Sequence, residues 1–579
     1  MPQAARWAGT PSIKGRSEAT RMALLTFSLV GLQFTWGTEM TYCTPYLLQL
    51  GLTKSKTSLV WIAGPLSGLI IQPLIGVIAD RSRSKWGRRR PFMIFGSFVV
   101  GFCLVVLGWT AEIVSMFVKD PEKAKNVTIA LAVSSIYAVD FSINVVQACC
   151  RSLIVDTLPI TQQQSGSAWA GRMCAIGQLI SYAVGSIDTV SIFGSLFGDT
   201  QFKQMTVIAA ISLIAAVSVT SYSVKERVLI SARDSDGHAG AIQVITQLYK
   251  TTMELPPRIQ AICWAQFWAW IGWFPFLFYS TTWVSETYFR YEVPKDQATK
   301  STDMLGEVGR VGSLSLVVFS SITFFSSVLL PFCVQTPDTK RTRFTPRPPR
   351  GMASIARIQK KLESVRPDLH TAWFIAQIMF AATMVFAPLA HSRAFATSLV
   401  AICGIPWAIS GWAPFAFMGV EINKLTMINA ASNGVGIPAS STRSGVTMIT
   451  SASMRNSSSV AADSELEVLR LHHRDSDSDT DEEAQASNIP STGELAGIYL
   501  GVLNVYTTLP QFVGTFISWI VFSILEPGAQ PAKEGGEPSD TQWMNLDKDK
   551  PNAIAVCLFI GAISALVAAE ATRRLKYVP

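Results

Sequence analysis

Four polar residues fall on one face of an apolar segment near residues 127–150. Asp140, Asn144, Gln147 and Arg151 are spaced by four, three and four positions, so in a helix their side chains lie within roughly 60° of one another. A carboxylate in the hydrocarbon layer costs about 3 kcal/mol or more, and such a residue faces the protein interior or water. A carboxyl group in apolar surroundings also takes up a proton more readily. The stripe therefore predicts a site where Asp140 exchanges a proton while its neighbours bind a small polar solute.

The alternative for this stripe is a structural ion pair between Asp140 and Arg151. Eleven helical residues separate the two side chains by about 16 Å along the axis, which is too far for direct contact. Counted from Val127, Asp140 lies about 20 Å into the segment, near or just past the centre of a bilayer. Both facts favour the functional interpretation.

Other polar residues in apolar segments are weaker candidates. Glu39 shares a helical face with Tyr42 and Tyr46, and it is either a second proton site or a hydrated acid at the mouth of the protein. Arg310 opens another apolar segment, where an interfacial arginine that extends to water is one interpretation. Further candidates for solute binding are Gln178 and Tyr182, Asn504 and Gln511, and Trp283. Interhelical hydrogen bonds and packing are the alternatives for these side chains.

The segments that position these residues are apolar runs separated by short charged blocks. The chain has 579 residues, of which 49% are hydrophobic and 15% are charged, and runs of about 20 residues suffice to cross a bilayer as helices. We expect an all-α membrane protein with twelve spans, at 22–44, 57–79, 92–110, 127–150, 168–190, 204–223, 260–283, 311–333, 370–390, 394–417, 495–523 and 553–571. No catalytic constellation, metal-ligand cluster or phosphate loop stands out, so an enzyme, a cofactor and a metal are not expected.

The order of the spans predicts two six-helix bundles in the major facilitator arrangement. These are residues 22–223 and 260–571, joined by a central loop at 224–259, with a tail at each end (1–21 and 572–579). Most of the 48 lysines and arginines fall on the side of the two tails, which places both termini in the cytoplasm. Insertions at 334–369 and 421–493 are expected to be cytoplasmic. The acidic run at 475–483 is either a spacer or a phosphorylated segment. All nine cysteines fall in apolar runs, so we expect buried thiols rather than disulfides.

The loop between the second and third spans carries a motif of its own. Gly76, Asp80, Arg81, Gly87, Arg88, Arg89 and Arg90 have the G-x-x-x-D-R-x-x-x-x-G-R-R-R spacing of major facilitator carriers. An acid at a helix end and a cluster of arginines can bind neighbouring helix ends. The motif predicts a gate on the cytoplasmic face, and the alternative is a basic loop that only sets topology.

Several short motifs occur in the order in which they occur in sucrose transporters. They are Gln33 to Trp36, Thr44 to Tyr46, Trp61 to Gly68, Gln72-Pro73, Gly87 to Phe92, Gln147 to Arg151, Trp273 to Phe276, Gly404 to Pro406, Gly501 to Asn504 and Pro510-Gln511. On these segments the chain resembles the glycoside–pentoside–hexuronide:cation symporter family of the major facilitator superfamily, in its sucrose-transporter-like branch. The two insertions look like those of the fungal members.

The resemblance implies proton-coupled uptake of sucrose or another α-glucoside such as maltose. It also implies that Asp140 takes part in sugar binding and proton coupling, and that Arg310 serves substrate binding or charge balance. The chain departs from the plant pattern at Ser280-Thr281-Thr282-Trp283, where plant members carry an acid, so details of the coupling are expected to differ.

Two rival functions remain open at this point, a transporter-like sugar sensor and an uncoupled sugar facilitator. The expected partners are a sugar, a proton and membrane lipid, without nucleic acid, and the protein is expected to act as a monomer. The plasma membrane is preferred over the vacuole as its location.

Overall fold

A computed structural model describes residues 6–80, 82–231, 252–294, 303–334, 366–432, 492–526, 548 and 550–578. The chain divides into two compact units, Met1–Phe417 with Gly501–Pro579, and Met418–Leu500. The larger unit holds the residues discussed below. Most of the predicted insertions, at 335–365 and 433–491, lie outside the described residues, as does most of the central loop.

The described structure is almost entirely helical. The helices are α1 (Glu18–Thr26), α2 (Ser28–Gln49), α3 (Lys54–Val60), α4 (Ala63–Asp80), α5 (Arg90–Gly108), α6 (Thr110–Phe117), α7 (Pro121–Thr157), α8 (Ile160–Ser186), α9 (Thr189–Phe193), α10 (Gln201–Ser223), α11 (Pro257–Tyr291), α12 (Met304–Cys333), α13 (Leu369–Met384), α14 (Arg393–Ile402), α15 (Gly404–Ser410), α16 (Ala413–Ser432), α17 (Thr492–Leu525) and α18 (Ala553–Arg574). Short 3₁₀ turns occur at Ala387–Leu389 and Leu575–Tyr577.

Each of the twelve predicted spans coincides with one or more of these helices. Within the described residues, ten helical stretches are long and apolar enough to cross a membrane. The helices at the first and fifth predicted spans, α2 and α8, are not among them. Both carry many polar side chains, and they bond to each other: Gln178 donates to Gln33 Oε1 at 3.1 Å and the Ser181 hydroxyl donates to the Phe34 carbonyl at 3.0 Å. Part of their polarity is therefore satisfied by contacts within the protein.

Several helices extend past the predicted spans or are broken. Helix α7 begins at Pro121, after the Asp120 side chain accepts a hydrogen bond from the Glu122 N–H, and it runs for 37 residues. That length is about 55 Å, well beyond a bilayer core of about 30 Å. Pro and Asp favour a helix start. Asp140 lies near the middle of this helix. The tenth span is divided among α14, α15 and α16, with breaks at Cys403 and Gly411–Trp412.

Two short strand pairs attach the N-terminal segment to the chain that follows α10. Strand β1 (Arg6–Ala8) pairs with β4 (Val228–Ser231), and β2 (Ser12–Ile13) pairs with β3 (Val224–Lys225), both antiparallel. The N-terminal segment therefore lies at the same end of the helices as the chain that follows α10. We call this end, which also holds the loop at 82–89, the terminal face. The other end, with residues 50–53, 187–200 and 292–294, is the opposite face.

The cysteines match the sequence prediction only in part. None of the nine is in a disulfide, and six are buried. Cys103 and Cys174 are half-buried, and Cys333 is exposed. Cys333 is the last residue of α12, so the expectation that all nine thiols are buried is wrong at this helix end.

Candidate functional site

Two carboxyl groups meet inside the first six-helix half. Glu39 of α2 is 2% exposed and Asp140 of α7 is fully buried. Their side chains lie within hydrogen-bonding reach of each other, and neither carboxyl accepts a hydrogen bond from a donor elsewhere in the described part of the chain. The sequence predicted each residue separately as a proton site. The structure brings the two together and places neither against lipid nor at a hydrated mouth.

This carboxyl pair lies close to the border with the second half. On the helical turn that carries Glu39, the Met40 carbonyl accepts a hydrogen bond of 3.3 Å from the Thr281 hydroxyl of α11. A change in the charge of the carboxyl pair would therefore occur next to this contact between the two halves.

A chain of side-chain amides continues from Asp140 to the second half. Asn144, 3% exposed, donates to the Asp140 carbonyl at 2.9 Å and to the Ser67 hydroxyl at 2.8 Å. Gln72 of α4 donates to Asn144 Oδ1 at 3.0 Å, and Asn504 of α17 donates to Gln72 Oε1 at 3.5 Å. Gln72 and Asn504 are half-buried. The amides thus join α7, α4 and α17, with polar groups from both halves.

Exposure rises along the polar stripe of α7 toward the terminal face. Asp140 and Asn144 are buried, Gln147 is half-buried, and Arg151 is exposed. Because the four side chains share one helical face, this gradient indicates that the surface they line becomes wetter toward the terminal face. Asp140 and Arg151 do not pair, as their spacing predicted.

The remaining candidates on α8 and α17 make local contacts. Gln178 bonds Gln33, as described above, and buried Tyr182 lies against α2 at Gly37. Gln511 is half-buried and donates to the Thr507 carbonyl of its own helix at 3.0 Å. These contacts fit the interhelical alternative for α8 and leave Gln178 and Gln511 partly accessible.

Arg310 and Trp283 lie at the opposite face. Arg310 is half-buried and donates to Gln201 Oε1 at 2.8 Å, and it lies 3.5 Å from the Asp188 carboxylate. Gln201 in turn donates to the Tyr42 hydroxyl at 2.9 Å. Trp283 is 1% exposed and lines a separate cavity of about 350 Å³ with Thr287, Arg290, Tyr291, His391 and Asn552. The structure therefore does not bring these two residues to the carboxyl pair.

The loop between α4 and α5 is held by two acids that the sequence did not single out. Glu226 accepts the backbone N–H groups of Arg88, Arg89 and Arg90, at 2.8, 2.9 and 2.9 Å. Asp156, near the end of α7, binds Arg88 at 2.7 Å and Arg89 at 3.0 Å. An acid at three N–H groups of a helix start is favourable for both charge and hydrogen bonding.

The rest of the motif follows the same geometry. The Arg89 guanidinium also donates to the Gly76 carbonyl at 3.4 Å, and Arg90 donates to the Ser221 carbonyl at 2.9 Å. Gly87 has φ +109°, a conformation that suits glycine. These contacts bind the loop to the ends of α7 and α10 within the first half. The Asp80 side chain and Arg81 lie outside the described residues.

Several residues at the site are not among the candidates predicted from the sequence. Gln72 was noticed only within a family motif, and Gln33 likewise, although both sit in apolar runs as polar exceptions. That signal could have identified them. Glu226 and Asp156 carry no such signal, because charged residues near helix ends are common.

Chemically, the arrangement offers buried acids that can hold a proton and amides that can bind hydroxyl groups. It contains polar groups from two six-helix halves at their common border. A bundle of this kind is a membrane carrier of the major facilitator type.

Comparisons with known proteins also indicate a membrane carrier of the major facilitator type. Residues 26–293 match the profile of the family described as MFS/sugar transport protein. The chain is 34% identical over 473 residues to the general alpha-glucoside permease of Schizosaccharomyces pombe. The aligned region covers 74% of this chain and 84% of the permease. It is also 25% identical over 458 residues to the sucrose transport protein SUC4 of Arabidopsis thaliana, and this alignment covers 72% of this chain and 81% of SUC4.

The fold is also found in a solved structure. A bacterial homologue of the human lysosomal transporter Spinster superposes with a TM-score of 0.52 at 12% identity, over 97% of this chain and 98% of that chain. The 34% identity to the permease and the family profile show that the chain belongs to the MFS/sugar transport protein family. It is a multi-pass membrane transport protein and not an enzyme, and the family and fold predicted from its motifs are confirmed.

Proposed function

We propose that the protein is a proton-coupled symporter of sucrose or a related α-glucoside, such as maltose, and that it works by alternating access. The observation that carries this proposal is the contact between the buried carboxyl groups of Glu39 and Asp140, next to amides from both halves. The printed functions of the relatives, an alpha-glucoside permease and a sucrose transporter, support the substrate class.

The carboxyl pair is the proposed proton site. Two negative charges in contact in a buried environment are unfavourable, so the pair retains a proton between its two groups when closed off from water. It releases that proton only when one of the groups becomes hydrated. A pair that gains and loses one proton as access alternates is what proton coupling requires.

The amide chain is the proposed sugar site. Sugar hydroxyls need several donors and acceptors at once, and the side chains of Asn144, Gln72 and Asn504 supply both. Because Asn504 belongs to the second half, a sugar bound here would touch both halves. Asn144 also bonds the Asp140 carbonyl, so occupation of the amides and the charge of the pair are linked through one helical turn of α7. This surface would be extended by four further polar side chains, Arg151, Gln147, Gln178 and Gln511. Arg310 and Trp283 would approach it only in another conformation.

The proposed cycle starts outside the cell. The charge distribution supports a cytoplasmic position for both termini and the terminal face, and in the proposed cycle the protein acts in the plasma membrane as a monomer. A proton and a sugar enter from the opposite face, the halves rock, and both leave toward the terminal face. At 100 mV one proton supplies about 2.3 kcal/mol, which corresponds to roughly 50-fold accumulation of the sugar.

The test is uptake by the full-length protein in yeast cells that lack their own α-glucoside carriers. Radiolabelled sucrose should enter, unlabelled maltose should compete, sugar addition should make the medium more alkaline, and a protonophore should abolish accumulation. Sugar uptake that is unaffected by the protonophore and is not accompanied by proton movement would contradict proton coupling and would indicate an uncoupled facilitator. An absence of any α-glucoside uptake by surface-expressed protein would contradict the substrate class.

A further inference from the structure

At the opposite face, a buried cluster of charges joins the two halves. The Lys54 ammonium group, on α3 of the first half, lies 2.5 Å from a Glu286 carboxylate oxygen and 2.9 Å from Glu526 Oε2. The exposed fractions of the three side chains are 5%, 0% and 14%. Glu286 belongs to α11 and Glu526 follows the end of α17, so one cation of the first half bridges two acids of the second.

The two acids are held by their own half. Asn552 donates to Glu286 Oε2 at 3.3 Å, and the backbone N–H of Ala553, at the start of α18, donates to Glu526 Oε1 at 3.4 Å. Arg290, one turn along α11, also acts electrostatically on Glu286. Motion of one half against the other would therefore leave both acids in place and withdraw Lys54.

Contacts without charge surround the cluster. The hydroxyls of Ser55 and Ser523 are 2.6 Å apart, one residue from Lys54 and three from Glu526. The Thr44 hydroxyl donates to the Phe278 carbonyl at 3.3 Å, and the rings of Trp61 and Phe278 are 4.5 Å apart. All of these pairs join the first half to the second, so the structure has its opposite face closed at this point.

We propose that Lys54 is a positioning residue for transport, which stabilises the closed opposite face and must leave Glu286 and Glu526 in every cycle. The inference rests on the alternating access proposed above. When the face is closed, the lysine compensates two buried carboxylates, and without it they face each other with little compensation. When the face is open, water hydrates both acids and the lysine matters less. Loss of the cation therefore shifts the population toward the open state.

Lys54→Met tests this directly, because methionine keeps most of the side-chain length. Lys56→Met is the matched control, since Lys56 is exposed on the same short helix. A larger open population should lower the KM for sugar offered at the opposite face by about threefold or more. The slower return step should lower the maximal rate about tenfold. The control should change neither parameter, and a purely structural role of Lys54 would not lower KM.

Closure of the opposite face can also be measured by cross-linking, without a transport assay. Ser55→Cys with Ser523→Cys places two thiols where the hydroxyls now touch, and a disulfide should form when the face is closed. Adding Lys54→Met should slow cross-linking about fivefold or more, whereas Lys54→Arg, Lys56→Met and the single cysteine variants serve as controls. Exchanging the charges, with Lys54→Glu and Glu526→Lys together, should restore cross-linking.

An unchanged KM together with an unchanged cross-linking rate would overturn the inference. If Lys54→Met is not recovered as folded protein, Lys54→Gln, which also removes the cation but keeps a polar side chain, carries the same test and the same expected result. Cross-linking that depends on Lys54 in a protein that moves no α-glucoside would support the closure and contradict only the proposed substrate.

Discussion

The carboxyl groups of Glu39 and Asp140 face each other between α2 and α7, and both are almost completely buried. The pair forms only because helices α2 and α7 pack against each other. Its two members come from the first and the fourth predicted spans, about a hundred residues apart in the chain. In the proposed mechanism this contact keeps one proton away from water, one helical turn from the Asn144 amide that donates to the Asp140 carbonyl.

Replacing Gln72 by leucine should weaken sugar binding. Gln72 accepts from Asn504 and donates to Asn144, so the substitution removes the amide that links the two halves. A site built to bind hydroxyl groups loses one to several kcal/mol when a partner is removed, and KM should rise at least about tenfold. Initial rates of labelled sucrose uptake measure it. Gln260→Leu, at an exposed position of α11, is the control, and equal KM values in the two variants would contradict the sugar site.

Replacing Gly309 by alanine should block closure of the opposite face. A Cβ at this position of α12 would lie 2.0 Å from a ring carbon of Tyr42 in α2, and the Tyr42 hydroxyl is fixed by donating to the Gly185 carbonyl at 2.9 Å. The two halves could then no longer approach, and turnover should fall more than about tenfold with sugar binding retained. Equilibrium binding and uptake rates separate the two effects.

The control for Gly309 is Gly64→Ala in α4, where an added Cβ meets nothing within 4 Å. This variant should transport normally. A Gly309→Ala carrier with a wild-type rate would show that α2 and α12 do not approach closely during transport.

Replacing Gly87 by alanine should destabilise the loop between α4 and α5. The residue has φ +109°, and a Cβ would lie 2.8 Å from the Glu226 carboxyl carbon. Strain of this kind costs about 1–3 kcal/mol, and it would loosen the acid from the N–H groups of Arg88 to Arg90. Thermal unfolding of the purified protein should occur several degrees lower. Gly171→Ala in α8, which meets no atom within 4 Å, should unfold at or above the wild-type temperature, and an unshifted Gly87→Ala would refute the assigned role.

The sequence predicted helices at all twelve positions because most of them are long apolar runs, which lipid forces into helices, but it did not predict the breaks within the tenth. It predicted Asp140 for the same reason, since a carboxyl in such a run is conspicuous. The pairing of Asp140 with Glu39 could not be predicted, because it depends on how α2 and α7 pack. Helical periodicity gives the face of a residue on its own helix but not its neighbour on another helix.

The same limit explains the other differences. Arg310 is a candidate through the family resemblance and Trp283 through its aromatic side chain, and both lie at the opposite face, where α11 ends and α12 begins. Lys54 was not selected, because a lysine in a short connecting segment is typical of a solvated loop. Only the approach of α11 and α17 turns it into a buried ion pair.

The central claim is that a proton on the Glu39–Asp140 pair drives sugar accumulation. The most direct measurement compares Asp140→Asn with the wild type in proteoliposomes, by sugar accumulation under an imposed proton gradient and by sugar counterflow without one. Glu570→Gln, at a surface acid that pairs with Arg573 and Arg574, is the matched control. We predict that Asp140→Asn loses accumulation while counterflow stays within about threefold of the wild type. Normal accumulation of sugar by this variant would contradict the account.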